Sequence, residues 1–170
     1  MPTMTLDGTN GLTFPDGSVQ AKAAGLVAFS AYQNAGQSFS ASAEAKVIFQ
    51  AVEANYPNVG FSVGATSVDN LSRFQPTIAG YYDIKGSCRF PTSTANAEMI
   101  LRVYKNSSIY KTLNDDVQSA FERNVSGSCL VYLNGSSDYI ELFGLTSIAV
   151  TTAANDSANT YFQGILVAKA

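Results

Sequence analysis

The chain has 170 residues, of which 46% are hydrophobic and only 14% are charged, and its net charge is −3. This length suits one domain with a sizeable core plus a short appendage, and the net negative charge argues against binding to a phosphate backbone. A charged fraction well below the usual figure of roughly 25% fits an assembled protein at least as well as a free monomer.

Residues 1–25 form the first segment and differ from the rest of the chain. They are rich in Gly, Asp and Thr, and the Asp7-Gly8 and Asp16-Gly17 steps favour tight turns. There are too few apolar residues here for an independent core. We predict an extended attachment arm with short β-pieces, ordered only against another protein. The segment also lacks the pattern of a secretory signal, and no apolar run in the chain approaches the length of a membrane span.

The remainder, residues 26–170, is predicted to be one all-β domain. Short stretches of β-branched, aromatic and alternating residues recur between Gly, Asn and Ser turns, which is typical of a sandwich or barrel. Residues 125–133 and 138–143 are predicted to pair as a hairpin around Asn134-Gly135-Ser136-Ser137. No segment shows the apolar period of a helix. The predicted strands cover residues 27–32, 46–52, 81–86, 99–103, 125–133, 138–143 and 161–168.

The stretch from residue 74 to 84 is the most informative of these. Pro76 suits a strand boundary, because it cannot donate a ladder hydrogen bond. Gly80 permits a backbone conformation that a Cβ would resist. Alternation then predicts two faces, with Tyr82, Ile84 and Gly86 on one and Tyr81, Asp83 and Lys85 on the other.

Several motifs recur along residues 27–170 in a characteristic order. They are Ala28-Phe29-Ser30-Ala31, Val47-Ile48-Phe49 with Asn55, Arg73-Phe74-x-Pro76-x-x-Ala79-Gly80-Tyr81-Tyr82, Leu101-x-Val103-x-Lys105-Asn106, Ser126-Gly127-Ser128 and Phe162-x-Gly164. In this order they resemble the globular head of the complement first component, which shares its jelly roll with tumour necrosis factor. The resemblance implies an all-β, ten-stranded jelly-roll sandwich that assembles as a homotrimer.

The arm has a resemblance of its own. Residues 11–20 are similar to a segment that is common in bacteriophage tail-fibre and virion-appendage proteins, and Phe14, Pro15, Asp16 and Gly17 are its centre. The resemblance implies that the arm attaches the domain to other virion proteins. Neither a collagen-like stalk nor a long shaft follows the arm, which favours a short spike, a baseplate tip or a capsid-surface protein. The expected location is therefore the virion, assembled in the host cytoplasm.

The composition leaves little room for catalysis. The chain has no histidine, which removes Ser-His-Asp and Cys-His mechanisms and the commonest zinc ligand. Asp115 with Asp116, and Asp138 with Glu141, are the remaining carboxylate pairs, and we interpret them as a solvated loop and a strand cap. A calcium ion at Asp115 and Asp116 stays open. We expect no enzyme activity, no cofactor and no resident metal.

Two cysteines, Cys88 and Cys129, have apolar neighbours two residues away. We interpret them as buried free thiols, since free cysteine behaves as a small hydrophobic residue. A disulfide between them stays open at this stage.

Tyrosines carry the predictions for assembly. Tyr81, Tyr104 and Tyr139 lie opposite the apolar faces assigned to the core. They are either half-solvated or anchors against a neighbouring subunit, because Tyr is enriched at interfaces.

Two functions from different classes are consistent with this pattern. The first is a receptor-binding module that contacts a host-surface glycan or protein through loops, with Asn106, Ser107, Ser108 and Tyr110 as candidate contacts. The alternative is a capsid decoration, cement or connector protein with a purely structural role. A host-encoded signalling domain is less favoured, and neither nucleic acid nor membrane insertion is expected.

Overall fold

The computed structural model of the chain describes residues 5–7, 11–14, 19–20, 27–56, 60–64, 70–91, 96–118 and 123–170. All regular elements within these ranges are β-strands, and no helix among the described residues is long and apolar enough to cross a membrane. The strands are β1 (Thr5–Asp7), β2 (Gly11–Thr13), β3 (Val19–Gln20), β4 (Ala28–Tyr32), β5 (Ser38–Phe39), β6 (Ala45–Lys46), β7 (Ala51–Tyr56), β8 (Phe61–Ser62), β9 (Arg73–Phe74), β10 (Gly80–Phe90), β11 (Ala97–Lys105), β12 (Ser108–Gln118), β13 (Arg123–Leu133), β14 (Ile140–Thr146), β15 (Val150–Thr151) and β16 (Tyr161–Lys169).

Two antiparallel sheets form the body of the protein. The five-stranded sheet has the order β13-β10-β16-β4-β7, and the six-stranded sheet has the order β12-β11-β14-β9-β8, with β6 also paired to β14. Consecutive strands often lie in different sheets, so the chain crosses repeatedly from one sheet to the other. A separate two-stranded ladder joins β15 to β5.

Aromatic rings fill the space between the two sheets. Phe29 is central, with its ring centroid 4.3 Å from Phe74, 4.9 Å from Phe61 and 5.1 Å from Phe162. All four side chains are at least nine-tenths buried. Ring pairs of this kind add attraction beyond the area that they bury.

The long strands follow the predicted alternation. In β10, Tyr82 and Ile84 are buried while Tyr81 and Lys85 are exposed. The apolar side of β11, Met99, Leu101 and Val103, is also fully buried as predicted. The predicted faces of these strands are therefore confirmed.

The prediction of one continuous strand over residues 46–52 is wrong. The segment is divided into β6, which pairs with β14, and β7, which pairs with β4 in the other sheet. Between them Val47, Ile48 and Phe49 are buried in succession. A strand cannot bury three consecutive side chains on one face, so this segment crosses the core between the two sheets.

The predicted hairpin over residues 125–143 is also wrong. β13 pairs with β10, whereas β14 pairs with β11 and β9 in the opposite sheet. The Asn134 side-chain oxygen accepts backbone N–H bonds from Ser136, Ser137 and Asp138 at 2.9–3.0 Å. Side-chain hydrogen bonds of this type are those of an Asx-turn, and here they hold the crossing between the two sheets.

Gly80 is required for a different reason from the predicted one. Its φ is not in the left-handed region occupied by Gly60 and Gly135. A Cβ at Gly80 would instead meet the Ala168 carbonyl oxygen and the Leu166 side chain. The glycine therefore permits close approach of β16 to β10.

The two cysteines are free thiols. Cys88 lies opposite Val125 in the β10–β13 ladder, while Cys129 lies opposite Ile84, four residues along. Four residues of strand span ~13 Å, which is beyond the reach of a disulfide. Burial raises the pKa of both thiols, that of Cys129 to about 11, so neither is a reactive thiolate at neutral pH.

The arm contains the short β-pieces that were predicted. β2 pairs with both β1 and β3 in a three-stranded antiparallel sheet. Phe14 follows β2 and is 38% exposed. Pro15, Asp16 and Gly17, the remaining residues of the predicted attachment motif, lie outside the described residues.

Candidate functional site

The outward side of the six-stranded sheet carries a concavity of about 750 Å³, which we call the outer groove. The strand register arranges its side chains in two rows. Tyr104, Glu141 and Arg73 are aligned across β11, β14 and β9. In the next row, Arg102, Phe143 and Lys46 are aligned across β11, β14 and β6. The groove floor therefore combines charged and aromatic side chains.

Lys46 and Glu141 form a buried ion pair on this floor. The Lys46 Nζ donates to Glu141 Oε1 at 2.9 Å, and the two side chains are only 7% and 8% exposed. The ladder between β14 and β6 fixes both backbones. The Glu141 carboxylate is thus neutralised within the chain, and so is the Lys46 ammonium.

A second carboxylate, Glu44, is paired with its neighbours in β11. Arg102 Nη1 donates to Glu44 Oε1 at 2.9 Å, and the Tyr104 hydroxyl donates to Oε2 at 2.5 Å. Burial, together with this bond and the Glu44 charge, raises the pKa of Tyr104 to about 12. The phenol therefore stays protonated at physiological pH. Its ring also stacks on Phe143 at a centroid distance of 4.0 Å.

Arg73 lies on the same floor, beside Tyr139. Its guanidinium carbon is 4.2 Å from the Tyr139 ring centroid, a cation–π distance. Its Nη2 donates to the Gln75 side-chain oxygen at 2.9 Å. No carboxylate among the described residues lies within ion-pair distance of this guanidinium. Among the described residues, its contacts are with a neutral amide and an aromatic ring.

The wall of the groove is the turn between β11 and β12. Asn106 and Ser107 have φ values of 51° and 65°, as in a two-residue type I′ hairpin turn. The Ser107 hydroxyl is 2.7 Å from the Tyr139 hydroxyl, and Tyr139 N–H donates to Asn106 Oδ1 at 3.0 Å. These bonds tie the turn to the Asn134 crossing and make the wall rigid.

Asp138 strengthens the same junction. It accepts hydrogen bonds from Asn106 Nδ2 at 2.8 Å and from the Asn134 N–H at 3.1 Å, and it pairs with Lys105 at 2.9 Å. Burial alone raises the pKa of this carboxyl, but the bonds from Asn106, Lys105 and Asn134 outweigh burial and hold the pKa below its usual value. Asp138 is therefore ionised at neutral pH, and its contacts with Asn106, Asn134 and Lys105 stabilise the turn between β11 and β12.

A second surface lies on the outward side of the five-stranded sheet, and we call it the apolar face. One row across all five strands contains Leu130, Asp83, Ile165, Ala28 and Tyr56, and an adjoining row pairs Tyr132 with Tyr81. The large apolar side chains here are 38–57% exposed. Asp83 is the charged residue of the row and lies 3.8 Å from Lys85. Apolar patches of this kind commonly mark an interface. The exposed large members of the face are Tyr56, Tyr81, Leu130, Tyr132, Ile165 and Val167.

The three tyrosines that were predicted to take part in assembly lie on two different surfaces. Tyr81 lies on the apolar face, 5.4 Å from the Tyr132 ring. Tyr104 and Tyr139 lie in the outer groove on the opposite sheet, together with Ser107. Their roles in assembly stay predictions.

The four residues that were predicted to contact the host lie in two different elements. Asn106 and Ser107 form the turn, whereas Ser108 and Tyr110 lie within β12 and not in a loop. Tyr110 donates through its hydroxyl to the Leu130 carbonyl oxygen at 3.1 Å. A contact role for these four residues stays a prediction.

Sequence reasoning missed most of the groove floor. Arg102 is 58 residues from Glu44 and Glu141 is 95 residues from Lys46 in sequence, and only the pairing of strands brings them together. Arg73 was part of a quoted motif but was given no role.

The carboxylates at Asp115 and Asp116 are placed in β12 and not in the predicted loop. Within the described ranges, no group of three or more Cys, Asp or Glu side chains is positioned to hold a metal ion.

Comparison with known proteins identifies the fold. No protein-family model and no curated protein sequence matches the chain. Solved structures do match. Murine APRIL at pH 8.5 superposes with a TM-score of 0.57 at 13% identity, covering 84% of this chain and 99% of APRIL. The Eiger TNF structure from S. frugiperda superposes with a TM-score of 0.60 at 11% identity, covering 86% of this chain and 96% of Eiger.

The fold is a tumour-necrosis-factor-like jelly roll. The jelly roll that the resemblance implied is therefore confirmed. At 10–13% identity the likeness concerns the fold alone.

Proposed function

We propose that this chain is a homotrimeric binding module of a bacteriophage virion, displayed on a tail or capsid appendage and acting in attachment to the host. The apolar face carries this proposal. The proposed role is binding and not catalysis.

The apolar face supports association of identical subunits. Tyr81, Tyr132, Leu130 and Ile165 expose large apolar side chains at one end of the five-stranded sheet, and covering them removes apolar surface from water. Tyrosines with one polar end are favoured anchors at such interfaces. A trimer repeats each contact three times around a closed ring. The complement-head resemblance points to the same number of subunits.

The arm supports a place on a virion. Its segment from residue 11 to 20 is similar to one found in phage appendage proteins, and its strands pair with one another in a small sheet. The resemblance therefore suggests that the arm contacts other virion proteins while the jelly roll is displayed.

A purely structural role, as a decoration or connector protein, is the second candidate. One observation favours it: the arm, predicted to end at residue 25, is followed within three residues by β4 of the domain. The sequence between the predicted arm and β4 is therefore too short for a shaft.

Deletion of residues 1–25 tests the virion role. We expect the shortened chain to assemble as the full chain does, since the apolar face is intact, but to be absent from purified particles. Immunogold electron microscopy of particles carrying the full chain, made in parallel, measures incorporation and its position. Incorporation of the shortened chain at the normal level would contradict the role given to the arm.

The two candidate roles differ in their effect on infection. Purified full chain competes with particles for the host if the module is an adhesin, and we expect it to reduce particle adsorption. Unchanged adsorption at saturating protein would instead favour the structural role.

A further inference from the structure

The outer groove has the features of a ligand site and no assigned partner. Its volume of about 750 Å³ lies within the usual range for small-molecule sites. A second concavity of about 440 Å³ adjoins it and shares Arg73 and Asn70. Arg73 therefore stands at the centre of an extended trough, with space on both sides.

The polar groups of the groove are already held in place. Glu141 is fixed by Lys46, Glu44 is fixed by Arg102 and Tyr104, and Tyr139 is fixed by the Asn106-Ser107 turn. These hydrogen-bonding groups are therefore already ordered in the folded protein, so a ligand that binds to them loses little additional side-chain entropy. Half-buried aromatic rings, those of Tyr104, Tyr139 and Phe143, lie between these groups.

This mixture matches the chemistry of sugars. A pyranose ring has apolar C–H faces that pack on aromatic rings and a rim of hydroxyls that bond to carboxylates and amides. A peptide strand would instead need an open sheet edge, whereas the floor consists of strands already paired in a sheet. A nucleic acid would need a patch of several cations for its phosphates, whereas the Lys46 and Arg102 side chains on this floor are already paired with carboxylates.

The charged side chains of the groove favour an acidic sugar over a neutral one. Each of the two acidic side chains has its own cation within 2.9 Å. The Arg73 guanidinium has no carboxylate among the described residues, and one donor of its fork is used by Gln75. The Tyr139 ring below the guanidinium holds its plane. An Arg held in this way favours a bidentate pair with a carboxylate.

We infer that the outer groove binds an acidic saccharide, with the saccharide carboxylate paired to Arg73 and a sugar ring packed against Tyr104 and Phe143. The inference rests on the proposed function, in which the module faces the host. The groove lies on the sheet opposite the apolar face, and the inference requires that it stays open in the assembly.

The test uses the purified full chain on an array of acidic and neutral oligosaccharides, followed by titration calorimetry. Tetragalacturonate and its methyl ester form a matched pair that differs in charge but not in ring structure. We expect acidic members of the array to bind and the ester to bind at least 10-fold more weakly than the acid. This comparison uses the wild-type chain and depends on no variant folding.

Variants then locate the site. Arg73→Gln is expected to weaken binding of acidic saccharides at least 10-fold, with Arg73→Lys intermediate because it keeps the charge but loses the planar fork. Lys111→Gln makes the same change in net charge at an exposed residue of β12 outside the groove, and we expect it to bind as wild type does.

Several results would overturn the inference. These are no binding to any acidic member, equal binding of the acid and its ester, wild-type affinity in Arg73→Gln, or an equal loss in Lys111→Gln. Coverage of Tyr104 and Tyr139 by a neighbouring subunit would also appear as no binding. Because binding is measured on isolated protein and the virion role on particles, failure of one is distinguishable from failure of the other.

Discussion

Replacing Ile165 with lysine is expected to convert the proposed trimer into single subunits. Ile165 is 40% exposed in the middle of the apolar face, between Asp83 and Ala28 in the sheet. A lysine there would place an ammonium within the covered apolar face, where the neighbouring carboxylate, Asp83, already lies 3.8 Å from Lys85. Removal of a central apolar anchor typically costs about 2 kcal/mol or more at an interface. Because the subunits are identical, the substitution is present at each of the contacts between subunits in the ring. Sedimentation velocity at micromolar concentration measures the result.

Ile109→Lys is the matched control for this variant. Ile109 is 56% exposed on β12 in the opposite sheet, so the chemical change is the same but lies away from the apolar face. We expect Ile109→Lys to sediment as wild type does. Assembly that survives Ile165→Lys, or that is lost equally in both variants, would show that the apolar face does not hold the subunits together.

Replacing Lys46 with methionine is expected to lower the free energy of unfolding by about 3 kcal/mol or more. The substitution leaves the Glu141 carboxylate, whose side chain is only 8% exposed, without the ammonium 2.9 Å away. A buried charge without its partner is costly, because the low-dielectric interior gives no solvation in return. Urea unfolding at one fixed protein concentration measures the change, since assembly makes stability depend on concentration.

The double variant Lys46→Met with Glu141→Leu completes this experiment. Removing both charges leaves no buried ion, so we expect most of the lost stability to return. Lys85→Met serves as the comparison, because the Lys85 and Asp83 side chains are 3.8 Å apart and are 58% and 37% exposed in the single subunit, and exposed pairs contribute about 1 kcal/mol or less. A small effect of Lys46→Met, matching that of Lys85→Met, would mean that water reaches the Glu141 carboxylate.

Sequence alternation was sufficient to predict β10 and β11 and their faces, but β12 (Ser108–Gln118) was not predicted as a strand. In β10 and β11 one side of each strand meets the core and the other side meets solvent, so burial follows a period of two. The same rule failed where the chain crosses between sheets. Val47, Ile48 and Phe49 are all buried because the segment crosses the core, and a run of apolar residues does not distinguish a crossing from a strand.

The turn after β13 shows a second limit. Asn134-Gly135 is a strong hairpin signal by local sequence, yet β13 and β14 belong to different sheets. The residues of a turn determine how sharply the chain reverses. They do not determine which strand the next strand pairs with. The actual hairpin in this region is the one at Asn106-Ser107.

The outer groove was beyond sequence reasoning for the same reason. Its floor joins residues from β6, β9, β11 and β14, and each is an unremarkable polar or aromatic residue in its own strand. Only non-local pairing places Arg73 beside Glu141 and Lys46 beside Phe143. Single-sequence patterns contain no information about such register.

The central claim is that identical subunits cover the apolar face in a ring of three. Sedimentation equilibrium of the full chain at micromolar concentration tests this most directly, because it reports mass without assumptions about shape. We expect a single species at about three times the subunit mass of 18.0 kDa. A mass of 18.0 kDa under these conditions would contradict the claim, since Tyr81, Leu130 and Ile165 would then remain open to water in the free protein.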